Sequence, residues 1–546
     1  MNTNMNVTIR RLANAFIILF LVISAVAAYV QIANQAFYNG PVLASGTYDQ
    51  RKCPPYDAPL RGTIYDRNGN WIARTVRDSN APCGYRREYA GWVADTGLAP
   101  LVGYFSYRYG TSGIEGSYND ILAGVQSGET FQNVTAKLLH KARYGNDIYL
   151  TIDMKEQEAA SNYYDNSAIE GGGVCQAPGS HPPGSLIVEQ PTTGEILAMV
   201  SKPSYDANKI DDPNHPEYWQ QLQNDSGSPL LNHATQGLYD PGSTFKTVTL
   251  LAALDTGTIS LDTTFTQQQA VYYTINGENI NWDDYLQGVW NFSGSPLSFP
   301  LTVRDAYALS DNTVFARTAV QLGKDNWLNY ARKFGIATPG VNVDPVPFDA
   351  PQYQSSAYPA TINGKPVDFN NNLLAESGFG QGDLLITPLT MTEISSAVAA
   401  GGILYAPHVA WKVIPHGVSA SSIIPTQPQI YTGSPIFRPE TAQSVRTAMW
   451  AVVDHGTAWA GIARNGIYPK DSGVKMGGKT GTGQLGSGQP QTWWISLAPD
   501  DQAPGGAPAR LNVTVMKEKS GEGACQVWVA NDTYQYAFDH NLVPTS

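Results

Sequence analysis

Residues 240–246 read DPGSTFK, and a run of apolar residues follows them directly. The Pro-Gly pair predicts a turn that delivers Ser243 to the start of a helix, which runs to about Asp255 before Gly257 ends it. At a spacing of three, Ser243 and Lys246 lie on one helical face. A lysine placed in this way can take the proton of a serine hydroxyl, and the helix N-terminus would stabilise an oxyanion. In isolation the pattern is more often a capped helix with a solvated lysine.

A second candidate site is SDN at residues 310–312, between predicted helices at 302–309 and 313–322. At such a break Ser310 and Asn312 can project into a cleft. There the hydroxyl would relay protons and the amide would donate a hydrogen bond to a substrate carbonyl. An ordinary turn between two helices is the competing interpretation.

The third candidate is GGKTGTG at residues 477–483, which precedes a predicted strand at 492–497. Lys479 supplies a positive charge, and Thr480 and Thr482 supply hydroxyls for a carboxylate. We expect Gly481 to let a substrate backbone approach the strand edge, because it has no Cβ. A tight glycine-rich turn is the alternative.

The elements around these motifs predict at least two folded units. The segment 61–73 reads as a hairpin with an Asn-Gly turn, and a small α+β unit continues to a boundary near residue 150. Beyond it we expect a helix at 154–166 and two strands, 185–190 and 195–201, joined by a turn. A mainly helical region at 243–335 and strands after 473 should follow. Helices between early and late strands indicate an α/β sandwich with an antiparallel sheet.

Taken together and in order, S-x-x-K, S-D-N and K-T-G are the signature of penicillin-binding proteins and class A β-lactamases. Three flanking stretches resemble the transpeptidase domain of class B penicillin-binding proteins, namely NHATQG at 232–237, GQG at 380–382 and TPL at 387–389. The early RG at 61–62 and DRNG at 66–69 resemble the pedestal domain of that class. The region from 103 to 115 is most similar to the actinobacterial penicillin-binding protein A type.

The resemblance implies an α/β (α+β) penicillin-binding transpeptidase fold, with an antiparallel sheet sandwiched by helices and a small α+β pedestal. We expect a cytoplasmic N-terminus at 1–11, a transmembrane helix at 12–33, the pedestal at 34–150 and the transpeptidase domain at 151–546. The implied catalytic residues are Ser243, Lys246, Ser310, Asn312 and Lys479, and the implied substrate-binding residues are Thr480, Gly481 and Thr482. We expect Lys246 to be the unprotonated base and Lys479 to stay protonated.

The implied function is a peptidoglycan D,D-transpeptidase that cross-links stem peptides ending in D-Ala-D-Ala and is acylated by β-lactams. The backbone N–H groups of Ser243 and Thr482 would form the oxyanion hole. The resemblance also implies a polytopic glycan-polymerising glycosyltransferase as partner, and no metal or organic cofactor. A β-lactam sensor or divisome scaffold without turnover is the alternative that shares this fold.

The N-terminus predicts a membrane link. Residues 12–33 are mainly apolar and long enough to span a bilayer, and Arg10 and Arg11 precede them, which orients the rest of the chain outward. Cleavage as a signal peptide after AVA at 25–27 is the alternative. The net charge of −12 argues against binding to nucleic acid.

Four cysteines lack the CxxC spacing of a zinc site, and outside the cytoplasm disulfides are the natural alternative. The family's fold implies a pair between Cys175 and Cys525, and Cys53 and Cys83, both in the pedestal, would be the other pair. Three other enzyme classes are disfavoured. The adjacent Asp454 and His455 do not suit a Ser-His-Asp triad, the deacylating segment of a β-lactamase is missing, and the pedestal is too small for a glycosyltransferase domain.

Overall fold

The computed structural model describes most of the chain. The described residues are 14, 16–24, 60–79, 81, 84–124, 144–167, 181–271, 274–275, 278–279, 299–353, 355, 361–362, 365–366, 369–382, 384–416, 418–419, 427–458, 463–483 and 490–543. Cys53, Cys83 and Cys175 lie outside these ranges. Cys525 is disulfide-bonded.

The N-terminal unit, called the pedestal below, is a sheet with short helices. Its strands are β1 Ile64–Tyr65, β2 Trp71–Arg77, β3 Tyr85–Tyr89, β4 Phe105–Ser106, β5 Gly110–Thr111 and β6 Asp147–Leu150. Its helices are α1 Gly91–Asp95, α2 Ala99–Val102, α3 Gly113–Ser117 and α4 Asn119–Leu122. The expected hairpin is β1 and β2, which pair antiparallel. Gly69 has a φ of +87° in the turn between them, which glycine adopts without strain.

The second unit contains the remaining elements. Its helices are α5 Met154–Asn166, α6 Tyr218–Asn224, α7 Lys246–Asp255, α8 Gln267–Val271, α9 Val303–Ala308, α10 Asn312–Leu322, α11 Lys324–Lys333, α12 Asn371–Gly378, α13 Pro388–Ala399, α14 Pro439–Asp454 and α15 Val527–Asp539. Its strands are β7 Gly184–Gln190, β8 Glu195–Lys202, β9 Thr264–Phe265, β10 Thr274–Ile275, β11 Glu278–Asn279, β12 Leu301–Thr302, β13 Thr361–Ile362, β14 Lys365–Pro366, β15 Ala410–Ile414, β16 Gly477–Gly483, β17 Gln491–Ala498 and β18 Leu511–Lys517. Single 3-10 turns occur at Ala207–Lys209, Gly242–Phe245, Pro469–Asp471 and Gly523–Gln526.

Two five-stranded sheets organise these elements. The central sheet of the second unit has the order β16-β17-β18-β7-β8, and all its pairs are antiparallel. The pedestal sheet has the order β15-β6-β1-β2-β3, and its β15 comes from the second half of the chain. The pedestal sheet is mixed, because β1 and β6 pair in parallel.

Helices cover both faces of the central sheet, as the sequence predicts. On β18, Asn512 donates to Ser396 of α13 at 2.8 Å. Lys517 donates to the carbonyl oxygen of Tyr164 in α5 at 2.6 Å. Residues 512 and 517 are an odd number apart, so their side chains leave opposite faces of the strand. The sheet is therefore sandwiched between helices, and its end strand β16 carries the third motif.

The described residues do not confirm the transmembrane helix expected at 12–33. Residues 16–24 are helical, and their apolar side chains are exposed. Among the described residues, none of the helices combines the length and the apolar character needed to cross a bilayer.

Candidate active site

Ser243 lies in a tight turn and not in the first turn of an α-helix. It lies in the 3-10 turn Gly242–Phe245, called the nucleophile turn below, and α7 starts only at Lys246. Gly242 has a φ of +51°, and a Cβ built on it would lie 2.5 Å from the carbonyl oxygen of Thr482. Only glycine therefore allows the turn to approach β16 so closely.

Asp240 holds this turn in place. Its Oδ1 accepts a hydrogen bond from the Gly242 N–H at 2.9 Å. Its own N–H donates to Gln491 Oε1 at 2.9 Å, and its carbonyl oxygen accepts from Trp493 Nε1 at 2.8 Å. Burial raises the pKa of Asp240 to about 7, although the Gly242 hydrogen bond opposes that shift. Sequence reasoning missed Gln491 and Trp493, because their contacts cross to β17 and leave no local pattern.

Lys246 connects the first two motifs. Its Nζ donates to the carbonyl oxygen of Ser310 at 2.6 Å and to Asn312 Oδ1 at 2.6 Å. The same nitrogen lies 3.0 Å from Ser243 Oγ and 3.1 Å from Ser310 Oγ. The Lys246 side chain is fully buried.

These contacts suit a neutral amine. A carbonyl or amide oxygen can only accept, so the contacts to Ser310 O and Asn312 Oδ1 each require a hydrogen on Lys246. A neutral amine has two hydrogens and one lone pair. With both hydrogens directed to those oxygens, the lone pair can accept the proton of a nearby hydroxyl. Asn312 thus uses its carbonyl end toward Lys246, and not only its amide toward a substrate as expected.

Ser310 occupies a strained position between α9 and α10. Its φ of +61° lies in the left-handed region, which costs a residue other than glycine about 1 kcal/mol. Asp311 fixes the start of α10, because its Oδ1 accepts from the Val314 N–H at 2.8 Å. Burial raises the pKa of Asp311 to about 6, against the opposing effects of the Val314 N–H and of Lys246. This cap holds Ser310 and Asn312 toward Lys246.

Lys479 approaches Ser310 from β16. Its Nζ donates to Ser310 Oγ at 2.9 Å and to the carbonyl oxygen of Thr480 at 3.0 Å. Burial, and after it the charge of Lys246, hold the pKa of Lys479 well below its usual range. Burial therefore acts against the protonated form of Lys479, and the expectation that Lys479 stays protonated remains a prediction. The sequence did not reveal that this side chain is fully buried.

The hydroxyls of the third motif line the same cleft. Thr480 Oγ1 lies 2.6 Å from Thr457 Oγ1, and Thr482 Oγ1 accepts from the Gly523 N–H at 3.4 Å. Thr457 was not identified from the sequence, because it follows α14 in a stretch without a motif. Ser243, Ser310 and Thr482 are partly exposed, so the cleft opens to solvent at these three hydroxyls.

Gly481 packs closely against the residues around Ser243. A Cβ at this position would lie 2.8 Å from Pro241 O and 2.8 Å from Thr244 Cγ2. The absence of a side chain therefore allows the nucleophile turn to pack on β16, and the expected role of Gly481 in substrate approach stays a prediction.

All eight site residues expected from the sequence meet in this cleft. Hydrogen bonds link Ser243, Lys246, Ser310, Asn312 and Lys479 into one chain, and Thr480, Gly481 and Thr482 form the strand beside it. Within the described ranges, no group of three or more His, Cys, Asp or Glu side chains is placed to hold a metal ion. The arrangement can activate a serine hydroxyl and hold an anionic group next to it.

Comparison with known families covers both units. Residues 184–521 match the penicillin binding protein transpeptidase domain, and residues 61–148 match the penicillin binding protein A dimerisation domain. The matched ranges contain all eight site residues and most of the pedestal.

Individual relatives agree with the family match. The chain is 28% identical to the peptidoglycan D,D-transpeptidase PbpA of Mycolicibacterium smegmatis over 527 residues, which is 95% of each chain. It is 25% identical to the peptidoglycan D,D-transpeptidase MrdA of Escherichia coli over 447 residues, 74% of this chain and 62% of that one.

Solved structures show the same architecture. The crystal structure of PBPA from Mycobacterium tuberculosis superposes with a TM-score of 0.69 at 25% identity, over 88% of this chain and 99% of that one. A ceftriaxone acyl-enzyme complex of penicillin-binding protein A from M. tuberculosis gives a TM-score of 0.69 at 25% identity, over 88% and 98% of the two chains. The resemblance to class B proteins of the penicillin-binding protein A type is confirmed.

Proposed function

The chain belongs to the penicillin-binding protein transpeptidase family, and on that premise we propose that it is a peptidoglycan D,D-transpeptidase that β-lactams inhibit covalently. The substrate is a stem peptide that ends in D-Ala-D-Ala. The acceptor is an amine of a neighbouring stem. The reaction exchanges one peptide bond for another and needs no external energy source.

In the first half-reaction, Ser243 Oγ attacks the carbonyl carbon of the penultimate D-Ala. Lys246 takes the hydroxyl proton, and the N–H groups of Ser243 and Thr482 stabilise the oxyanion. The terminal D-Ala leaves as an amine after receiving a proton through Ser310. The acceptor amine then attacks the acyl-enzyme, and the same groups return the proton.

One observation carries this proposal. Lys246 Nζ lies within hydrogen-bonding distance of Ser243 Oγ, Ser310 Oγ and Asn312 Oδ1, at 3.0, 3.1 and 2.6 Å. A lysine that only stabilised the fold would not need two hydroxyls at its amine. This contact set supports Lys246 as the base and Ser310 as the relay.

Substrate binding adds a charge to the site. Lys479, Thr480 and Thr482 are placed to hold the terminal carboxylate of the substrate, and a carboxylate beside the buried amine favours its protonated form. A bound substrate or β-lactam carboxylate would therefore oppose the effect of burial on the pKa of Lys479. Substrate binding would thus favour the protonated Lys479 that is needed to hold the carboxylate.

The direct test uses the full-length protein in detergent. Incubation with penicillin should give a mass increase of one adduct, mapped to Ser243 by peptide analysis, and Ser243→Ala should remove it without a change in the thermal unfolding midpoint. Incubation with a stem peptide ending in D-Ala-D-Ala should release D-alanine. Acylation without D-alanine release would support the sensor or scaffold alternative, and a labelled Ser243→Ala protein would reject the assignment.

The proposed setting is the outer face of the cytoplasmic membrane. The exposed apolar helix at 16–24 supports an anchor at 12–33, with a cytoplasmic segment at 1–11, a pedestal at 34–150 and the transpeptidase domain at 151–546. A polytopic glycosyltransferase would supply the glycan strand. The full-length protein should stay in the membrane pellet after alkaline carbonate washing, and a mature N-terminus near Ala28 would show cleavage instead.

Cys525 is disulfide-bonded, and the proposed partner is Cys175. Such a bond at the edge of the sandwich would stabilise the fold by about 2 to 4 kcal/mol. Peptide mapping of the unreduced protein would identify the partner, and a Cys525 peptide linked to Cys53 or Cys83 would reject this pairing.

A further inference from the structure

His233 and Tyr239 form a buried pair just before the nucleophile turn. They are 3% and 5% exposed, and His233 Nδ1 lies 2.5 Å from the Tyr239 hydroxyl. The other ring nitrogen, Nε2, lies 3.1 Å from the carbonyl oxygen of Gly227. Glu518, directly after β18, completes the group. Its Oε1 lies 3.8 Å from Nδ1, and burial, followed by the Glu518 carboxylate, raises the pKa of the Tyr239 hydroxyl.

The chemistry of these groups gives the Tyr239 proton two alternative acceptors. The Gly227 carbonyl can only accept, so Nε2 of His233 carries a hydrogen. When the imidazole is neutral, Nδ1 has a lone pair and accepts a hydrogen bond from the Tyr239 hydroxyl. The hydroxyl then no longer donates to Glu518. When the imidazole is protonated, Nδ1 donates to the Tyr239 oxygen, and the phenol proton can go to Glu518. The charge of His233 therefore decides whether Tyr239 is bonded to Glu518.

Tyr239 lies shortly before the turn Gly242–Phe245 that carries Ser243. Its backbone exchanges hydrogen bonds of 3.0 and 2.9 Å with Ile386. A Cβ on Gly237 would lie 2.3 Å from its ring, so the ring packs directly against that glycine. The next residue is Asp240, whose carboxylate holds the Gly242 N–H in front of Ser243. A displacement of the Tyr239 side chain is thus passed to the turn within a few bonds.

We propose that His233 is a positioning residue which, through Tyr239 and Glu518, sets the placement of the turn that carries Ser243. The proposal rests on the acyl-enzyme function given above. The protonated imidazole ties the turn to the end of β18 through Tyr239 and Glu518. The neutral imidazole removes that tie and leaves the turn less firmly held.

Several charges act on His233. Burial lowers the pKa of His233, and the Glu518 carboxylate opposes this effect. Asp225 lies in the same loop as the Gly227 carbonyl and accepts from the Gly227 N–H at 2.8 Å. Burial, and after it Tyr239, Asp165 and Glu518, raise the pKa of Tyr164 in α5. The state in which His233 is protonated and Tyr239 is bonded to Glu518 should therefore be populated only below the ordinary histidine pKa, at a pH under about 6.5.

The test compares acylation by a chromogenic β-lactam in the full-length protein and in His233→Gln. Glutamine can donate to Gly227 and accept from Tyr239, so it imitates the neutral imidazole and does not titrate. The ratio of the wild-type to the variant acylation rate constant should be close to one at pH 8. It should rise to about tenfold as the pH falls below 6.5, which is less than the loss of about a hundredfold that a 1 Å misplacement can cause.

Three further variants make the result specific. In a Tyr239→Phe background the effect of His233→Gln should vanish, because the phenol transmits it. Glu518→Leu, which cannot accept from the phenol, should reproduce the pH-dependent ratio even if His233→Gln folds poorly. His540→Gln, at an exposed histidine after α15, should give a flat ratio. The change should lie in the acylation step and leave the dissociation constant of the initial complex unchanged.

A ratio for His233→Gln that does not depend on pH would overturn this proposal while leaving the transpeptidase function intact. A full-length wild-type protein that is not acylated would instead overturn the proposed function itself.

Discussion

Lys479 donates a hydrogen bond of 2.9 Å to the hydroxyl of Ser310. Lys246 approaches the same hydroxyl from the other side, so Ser310 lies between two fully buried amines. Both cannot easily carry a charge at once in such a site, since like charges at this range disfavour each other. The site is therefore suited to hold one mobile proton between two amines and to move it through a hydroxyl.

Replacing the two lysines should separate their roles. Lys246→Arg should remove acylation almost as fully as Ser243→Ala, because a guanidinium stays protonated and cannot act as a base. Lys479→Arg can still hold a carboxylate and should keep some acylation with weaker binding. The measurement is the second-order acylation rate with a chromogenic β-lactam as a function of pH. Faster acylation by Lys246→Arg than by Lys479→Arg would contradict the assignment.

Ser310 combines a strained backbone with a catalytic hydroxyl, and two substitutions separate these properties. Ser310→Gly removes the hydroxyl but adopts the φ of +61° without strain. Ser310→Ala removes the hydroxyl and keeps the strain. We expect both variants to lose acylation by about 100-fold or more. The alanine variant should unfold at a free energy about 1 kcal/mol lower than the glycine variant. Equal stability of the two variants in chemical denaturation would contradict the strain.

Asp240 should make stability depend on pH. Its pKa is raised by burial to about 7 in the folded protein, and the ordinary value in an unfolded chain is about 3.9. The protonated form is thus favoured by folding, and stability is lost as the pH rises from about 4 through 7. Asp240→Asn keeps the acceptor for Gly242 and cannot ionise. Its thermal unfolding midpoint should exceed that of the wild type by an amount that grows between pH 4 and about 7.

Asp212→Asn is the matched control, and its effect on stability should have the opposite sign. The Asn214 N–H and then the His215 ring lower the pKa of Asp212, which is on an exposed loop. Its ionised form is favoured by folding, so the variant should be slightly less stable near neutral pH, and the difference should disappear in acid. A difference between Asp240→Asn and wild type that is constant over pH would reject the raised pKa of Asp240.

Because Gly481 packs closely on its neighbours, adding one methyl group at this position should reduce activity. Gly481→Ala would press on Pro241 and Thr244, so the nucleophile turn must shift and acylation should fall by about 10- to 100-fold. Gly91→Ala is the control, because a Cβ at Gly91 meets no atom within 4 Å. It should leave the acylation rate unchanged. Normal acylation by Gly481→Ala would show that β16 or the turn can move without cost.

Local patterns predicted much of this structure. The helix at Met154–Asn166 has the expected bounds, and β7 and β8 differ from expectation by one residue at one end each. Turn residues and hydrophobic periodicity mark these elements within the segment itself. The three motifs also identified the residues that meet in the cleft. What the sequence did not reveal depends on contacts between distant segments, as with Thr457 on Thr480 and Trp493 on Asp240.

The origin of β15 has a consequence for any attempt to isolate the pedestal. The Ala410–Ile414 strand is bonded along the full length of β6, although more than 200 residues separate them in the sequence. A fragment that ended near residue 150 would leave the backbone groups of β6 without this partner. An uncovered sheet edge is a template for pairing with other chains. Such a fragment is therefore expected to aggregate or dimerise through that edge, unless residues 410–414 are fused to it.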